Sequence, residues 1–195
     1  PPQVIKGIQN MLIIGLVGEK GSGKGTFAIQ LADIAAGKRV SSLRFSDILR
    51  ETLESWGLPA SRQNLQKIAV VMDQTYGIGT LANATYQRIM KVDADIAVVD
   101  GVRWDSDVAL IRRFPENLLV YITASPEVRY ARTVARGEKA GESETSFEKF
   151  LLEEQGANEV GIPRIGAGAD HQIENEGALV DFKTEIARFY GTRCS

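Results

Sequence analysis

Histidine and cysteine are nearly missing from this chain: its 195 residues hold one of each, His171 and Cys194. One histidine cannot build a histidine-based metal cluster, and the single soft ligand of Cys194 does not change that. A Ser-His-Asp hydrolase would have to use His171, and no Gly-x-Ser-x-Gly elbow accompanies it. His171 therefore reads as a surface or sheet-edge residue. A lone penultimate cysteine forms no internal disulfide, which points to a reducing compartment, the cytoplasm. Long apolar runs are also lacking, and none approaches the roughly 20 residues that a membrane span requires. Charge of one sign is lacking too: 23 Lys and Arg stand against 25 Asp and Glu, a net charge of -2. That balance argues against a bulk electrostatic grip on nucleic acid but leaves room for a local basic pocket.

What is present is ordinary globular material, 44% hydrophobic with 19 glycines. Residues 1–10 precede the first convincing strand and read as an extension or remnant outside the fold. Residues 11–195 read as one domain. Short apolar runs at 11–17, 40–45, 96–99 and 118–123 read as strands, with a last one at 171–174. Helical stretches alternate with them at 27–36, from Ser46 to 56, from a Ser61 cap to 76, then to 91, and at 105–114. Ser125-Pro126-Glu127 opens another helix, with a hydroxyl cap followed by proline at the first helical position. A closing helix is expected at 177–190. Alternation of this kind predicts an α/β fold, three layers with a central parallel sheet. Gly137 to Ala169 is glycine-rich and charged, with one helical stretch at 146–155, and reads as a mobile lid.

Gly18-Glu19-Lys20-Gly21-Ser22-Gly23-Lys24-Gly25-Thr26 is the sharpest signal. It sits between a strand and a helix, the context that a phosphate-binding P-loop needs. Its glycines let several N–H groups converge on one centre, and the helix N-terminus adds positive potential there. Lys24 can then reach the β- and γ-phosphates of a nucleotide. Asp100 ends the apolar run Val98-Val99, the Walker-B arrangement, and suits a water on magnesium. Ser46-Asp47-Ile48-Leu49-Arg50 follows the second strand, with Asp47 and Arg50 near one face of a helix start. Arg129, Arg132 and Arg136 are spaced three and four apart, along one helical face that something anionic should meet. Gln66 belongs to an amide-rich helix start, Ser61 to Gln66, that suits a base edge or serves only as a capped turn.

The Gly-Lys-Gly-Thr ending of the loop resembles adenylate kinase and its nucleoside monophosphate kinase relatives. Ser46 to Arg50 resembles their Gly-Asp-Met-Leu-Arg segment, and Asp100-Gly101-Val102-Arg103 their Asp-Gly-Phe-Pro-Arg segment, shortened by one residue. Val102-Arg103-Trp104 with Asp107 is closer to the deoxynucleoside monophosphate kinases of phages. The tail, Glu154-Gln155 with Asn175-Glu176-Gly177, is similar to dephospho-CoA kinases. The resemblance implies a P-loop kinase fold with ATP and magnesium as cofactors, and an acceptor-binding insertion at about 46–91. It implies that Gly18, Gly21, Ser22, Gly23, Lys24, Gly25 and Thr26 hold the donor phosphates, with Thr26 and Asp100 near the metal, directly or through water. Arg132 would stack on the donor adenine, and Arg136 would meet the transferred phosphoryl group. Arg50, Arg103, Asp47 and Gln66 would bind the acceptor. Lys24, Asp100, Arg136 and Asp47 would carry the chemistry, Asp47 or Asp100 as a base if the acceptor is a hydroxyl.

The implied activity is transfer of the γ-phosphoryl of ATP to a nucleoside or deoxynucleoside monophosphate, with dephospho-CoA as the alternative acceptor. Either is a small phosphate-bearing molecule; no nucleic acid or membrane partner is expected. A non-kinase nucleotide switch is the lesser alternative. It would need an Asp-x-x-Gly contact after Asp100, where Arg103 stands, and an Asn-Lys-x-Asp clamp, and no Asn-Lys pair exists in the chain.

Overall fold

A strand that is apolar on both faces has to be covered on both, and the computed structural model shows how this chain does it. It describes residues 10–137, 145–156 and 158–194. The elements run β1 (Leu12–Val17), α1 (Lys24–Ile34), β2 (Val40–Arg44), α2 (Phe45–Ser55), α3 (Arg62–Tyr76), α4 (Thr80–Ile89) and β3 (Ile96–Val102). They continue with α5 (Asp105–Ile111), β4 (Asn117–Thr123), α6 (Pro126–Arg136), α7 (Phe147–Glu154), α8 (Ile162–Ala167), β5 (His171–Glu174) and α9 (Leu179–Arg193).

The five strands form one sheet in the order β2-β3-β1-β4-β5, with all four pairings parallel. Side chains alternate across it. Ile13, Val17, Ala97 and Val99 enter the core shared with α4, α5 and α8. Ile14, Leu16, Ile96 and Val98 enter the opposite core, with α1 and α9. Those are the three layers. A satellite cluster of Leu49, Leu53 and Ile68 joins α2 to α3. β1 sits centrally between β3 and β4, and the glycine loop leaves its C-terminal end, the edge at which open parallel sheets bind ligands. Among the described residues no helix is long and apolar enough to cross a membrane.

Several boundaries correct the sequence reading. Helix α1 begins at Lys24, three residues before the expected Phe27, because Lys24 to Thr26 have already turned helical with their amide donors facing the loop. Ser46 is not a cap: α2 starts at Phe45, and Asp47 instead accepts from the Arg44 N–H at 3.0 Å. Ser125 precedes α6 as expected, yet its hydroxyl donates to Glu176 at 2.8 Å instead of capping the helix. Among its described residues the 137–169 stretch holds two helices rather than one. The second, α8, is short and glycine-containing, so its periodicity was hidden; Ile162 and Ile165 bury it against the sheet. Parts of the expected lid (138–144 and 157) and most of the expected extension (1–9) lie outside the described residues.

The glycine loop tolerates no side chain at Gly21. Its φ is +81°, and a Cβ there would stand 2.4 Å from the Arg129 carbonyl oxygen. Gly21→Ala is expected to cost about 2 kcal/mol, lowering Tm by about 4–8 °C for a chain of this size. A thermal melt checks it, and an unchanged Tm would mean that the loop relaxes freely.

Candidate active site

The cradle lies between the end of β1 and α1. Gly23 has φ +108°, and a Cβ there would meet the Asn175 amide nitrogen at 2.5 Å. That amide donates to the Ser22 carbonyl at 2.9 Å and ties the end of β5 to the loop. Glu19 is fixed from the neighbouring strand, accepting from the Tyr121 hydroxyl and, at 3.0 Å, from the Thr123 hydroxyl. Burial and the nearby Glu19 carboxylate push the Tyr121 hydroxyl up to about 12, so it stays a donor.

Lys24 Nζ donates to the Gly18 and Glu19 carbonyls, at 2.7 and 2.9 Å. Burial lowers its pKa; the charges of Asp100, Glu159 and Glu19 oppose that, and Arg103 adds to it. Asp100, at the end of β3, has a buried Oδ1 with no hydrogen-bond partner among the described residues, and the buried Ser22 hydroxyl is in the same state. A buried oxygen left without a donor costs free energy, and native chains keep such atoms for a ligand, water or ion. Among the described residues no group of three or more His, Cys, Asp or Glu could hold a metal by itself. One carboxylate oxygen plus Thr26 suits magnesium, which usually takes one or two carboxylates and fills its shell with phosphates and waters. The donor set fits that ion, with Asp100 and Thr26 as its protein side. Gly25 stands where the common loop has a hydroxyl, although a Cβ there would meet nothing within 4 Å, so chemistry rather than space distinguishes this loop.

A cavity of about 170 Å³ opens beside the loop, lined by Gly23, Thr26, Arg132, Asn175, Leu179 and Phe182. Arg132 donates to the carbonyls of Asn175 and Gly177 at 2.7 and 3.0 Å, which fixes its guanidinium plane at the wall. The three arginines expected along one face of α6 part company. Arg129 is buried at 4% exposure, held by the Ala124 carbonyl and paired with Glu154 on α7. Its anion is internal. Arg136 is exposed in the last turn of α6.

On the acceptor side, Arg50 is exposed on α2, while Asp47 spends Oδ2 on the start of that helix. Gln66 is exposed on α3. The amide set around it is partly structural: the Ser61 hydroxyl caps Asn64, and the Asn64 amide donates to the Pro59 carbonyl. Arg103 is close enough to act on Lys24, but its Nη1 donates to Glu159 at 2.8 Å. Two residues escaped the sequence reading. Arg44 lies opposite Asp100 in the β2–β3 register and brings Nε within 3.9 Å of its Oδ2. Glu159 lies 56 positions from its partner. The only sequence signal for Arg44 was a charge ending a strand, and for Glu159 there was none.

Asp107 anchors the turn that carries Arg103, accepting from the N–H groups of Arg103 and Trp104 at 3.0 and 3.1 Å. Burial pushes its carboxyl up to about 6, against the pull of those two donors. Between about pH 4 and 6 the folded chain therefore holds a proton that the unfolded chain has released, so this group makes stability fall as pH rises through that window. Asp107→Asn keeps an oxygen for both donors and removes the titration. Relative to the wild type, its stability in denaturant should rise more, or fall less, with pH across pH 4–6, and an unchanged slope would contradict the assignment.

Sheet order and glycine loop together define an α/β domain of P-loop fold. The chain belongs to the AAA_17 family of AAA domains, whose model matches residues 17–150, and to the UPF0200 proteins. It is 33% identical to the UPF0200 protein of Methanoculleus marisnigri, over 90% of this chain and 93% of that one. Solved structures agree on the fold. TT1252 from Thermus thermophilus matches with a TM-score of 0.62 at 18% identity, over 95% of this chain and all of that one. A shikimate kinase from Acinetobacter baumannii, in complex with shikimate, matches with a TM-score of 0.55 at 16% identity, over 97% and 98%.

Proposed function

We propose that the protein is an ATP-dependent phosphotransferase that moves the γ-phosphoryl of ATP to a nucleoside or deoxynucleoside monophosphate. The observation that carries this reading is the pair of unpartnered buried oxygens, Ser22 Oγ and Asp100 Oδ1, at the cradle that holds Lys24. Such a site is built for something polar that arrives from outside. Loop amides and Lys24 bind the β- and γ-phosphates, and the base enters the cavity walled by Arg132 and Asn175. Bound magnesium would neutralise charge on the phosphate oxygens, held by Asp100 and Thr26.

Phosphoryl transfer asks little covalent work of a protein, so positioning and charge neutralisation account for the rate. Lys24 and Arg136 serve the transferring group, while Arg50 and Arg103 orient the acceptor phosphate, with Gln66 toward the rest of the acceptor. A monophosphate is already ionised and needs no base. Dephospho-CoA is the second reading, favoured by Asn175, which lies beside the loop as the likeness of the tail to dephospho-CoA kinases implies. There a hydroxyl attacks, and Asp47 or Asp100 takes its proton.

Arg50→Ala tests the acceptor placement. One charge-assisted hydrogen bond lost should raise the acceptor KM about tenfold or more, with the ATP KM unchanged. An acceptor KM equal to that of the wild type would remove Arg50 from the site.

A further inference from the structure

Between Glu153 and Glu159 the chain directs three carboxylates at three cations around the glycine loop. Glu153 lies 3.5 Å from Lys20, Glu154 pairs with Arg129, and Glu159 accepts from Arg103. The third pair differs from the second. Arg129 is closed in, with its guanidinium over the Phe150 ring, and is a fixture of the fold. Arg103 keeps 39% of its side chain exposed, while Glu159 keeps 13%. The carboxylate therefore sits behind the arginine, and the arginine faces outward. Among the described residues the Arg103 guanidinium makes one hydrogen bond, through Nη1, which leaves the rest of its fork open.

The backbone beside Glu159 packs against that of Arg103. A Cβ at Gly161 would stand 3.5 Å from the Arg103 carbonyl, and buried Ile162 and Ile165 hold α8 below it. Both charges of the pair act on Lys24, so the pair lies within electrostatic reach of the loop lysine.

We propose that Glu159 is the resting counter-ion of Arg103 and that a phosphate dianion displaces it. The site thereby selects acceptors carrying a phosphate monoester over monoanions. This deepens the transferase reading and rests on it for the identity of the acceptor. A guanidinium that is 39% exposed gains from an anion beside it, and the one it meets in the resting protein is Glu159. Glu159 offers a single charge and one hydrogen bond. A phosphate monoester offers up to twice the charge and oxygens for both arms of the fork. Exchange is therefore favourable for the dianion and level for a monoanion. The freed Glu159 stays in the field of Lys24, whose positive charge compensates it.

Calorimetric titration of AMP and of inorganic phosphate tests this, using protein saturated with magnesium and a non-hydrolysable ATP analogue. Glu159→Gln removes the competing charge and should bind both probes about tenfold tighter, the size of one charge-assisted hydrogen bond. Glu159→Asp, a smaller change that keeps the charge, should fall between Gln and wild type and serves if the Gln protein melts early. Arg103→Gln added to Glu159→Gln should abolish the gain. The methyl ester of AMP, a monoanion, should bind the wild type much more weakly than AMP does, and that gap should narrow in Glu159→Gln. Equal affinities across the series, or weaker binding in Glu159→Gln, would overturn the exchange and leave Glu159 as a strut that shapes Arg103. The titration requires no turnover. Tighter phosphate binding without any ADP release would keep this inference and sink the transferase, and the converse pattern would do the opposite.

Discussion

Lys24→Met should reduce phosphoryl transfer by about 10²–10³-fold or more while leaving the protein folded. The Lys24 ammonium is held inside the loop, donating to the Gly18 and Glu19 carbonyls. Burial lowers its pKa, and the carboxylates of Asp100, Glu159 and Glu19 oppose that without cancelling it. A side-chain amine held on the loop carbonyls is placed for an anion that enters the loop, and a charge acts more strongly where water is excluded. Methionine replaces most of the stem volume without the charge, so the fold loses two side-chain hydrogen bonds and little packing. Thermal melting should shift by a few degrees, whereas turnover should nearly vanish. A Lys24→Met protein with the wild-type transfer rate would refute the loop as the donor site.

Asp100→Asn should also separate activity from stability. In the resting protein Asp100 Oδ1 is buried without a donor among the described residues, and its Oδ2 lies 3.9 Å from the Arg44 Nε. That arrangement costs stability, and neutralising it removes a buried charge. Neutralisation also withdraws the largest carboxylate support of the Lys24 charge, so the two effects offset and the variant should melt within a few degrees of the wild type. Its transfer rate should fall about 10²-fold or more, as for loss of one electrostatic group at a reacting centre. The magnesium concentration needed for half-maximal rate should rise alongside. Loss of stability with activity intact would make Asp100 a structural carboxylate. Sites organised for function commonly carry such a cost to the fold.

Both variants concern residues that the sequence exposed directly, because the features that mark them are local. A strand, a glycine turn and a helix are contiguous from Leu12 to Ile34, and Asp100 closes an apolar run, so the cradle and its carboxylate need no knowledge of the rest of the chain. The parallel sheet follows from the same alternation of strands and helices. Spacing placed Arg129, Arg132 and Arg136 on one helix face, but spacing says nothing of what that face meets. Arg129 proved to be closed in by Glu154, and Arg132 braced on the backbone at Asn175 and Gly177. Long-range pairing was not readable. Arg44 meets Asp100 through strand register, and Glu159 meets Arg103 across the turn before α8, itself hidden because its six residues include a proline and a glycine. The helix starts moved for a related reason. Ser46 and Ser125 have the right composition for caps, yet at the first of these Asp47 performs the role, and at the second the hydroxyl is drawn to Glu176.

The acceptor remains the feature that the geometry constrains by charge rather than by shape. The most direct measurement is ADP release from ATP and magnesium, followed across a panel of nucleoside monophosphates, their deoxy forms and dephospho-CoA, with Lys24→Met as the blank. Stimulation by one monophosphate, absent in the blank and accompanied by a phosphorylated product, is the predicted result. Stimulation by dephospho-CoA alone would move the protein to the second reading. A flat panel, with nucleotide bound tightly but no acceptor phosphorylated, would contradict the transferase and favour a P-loop switch.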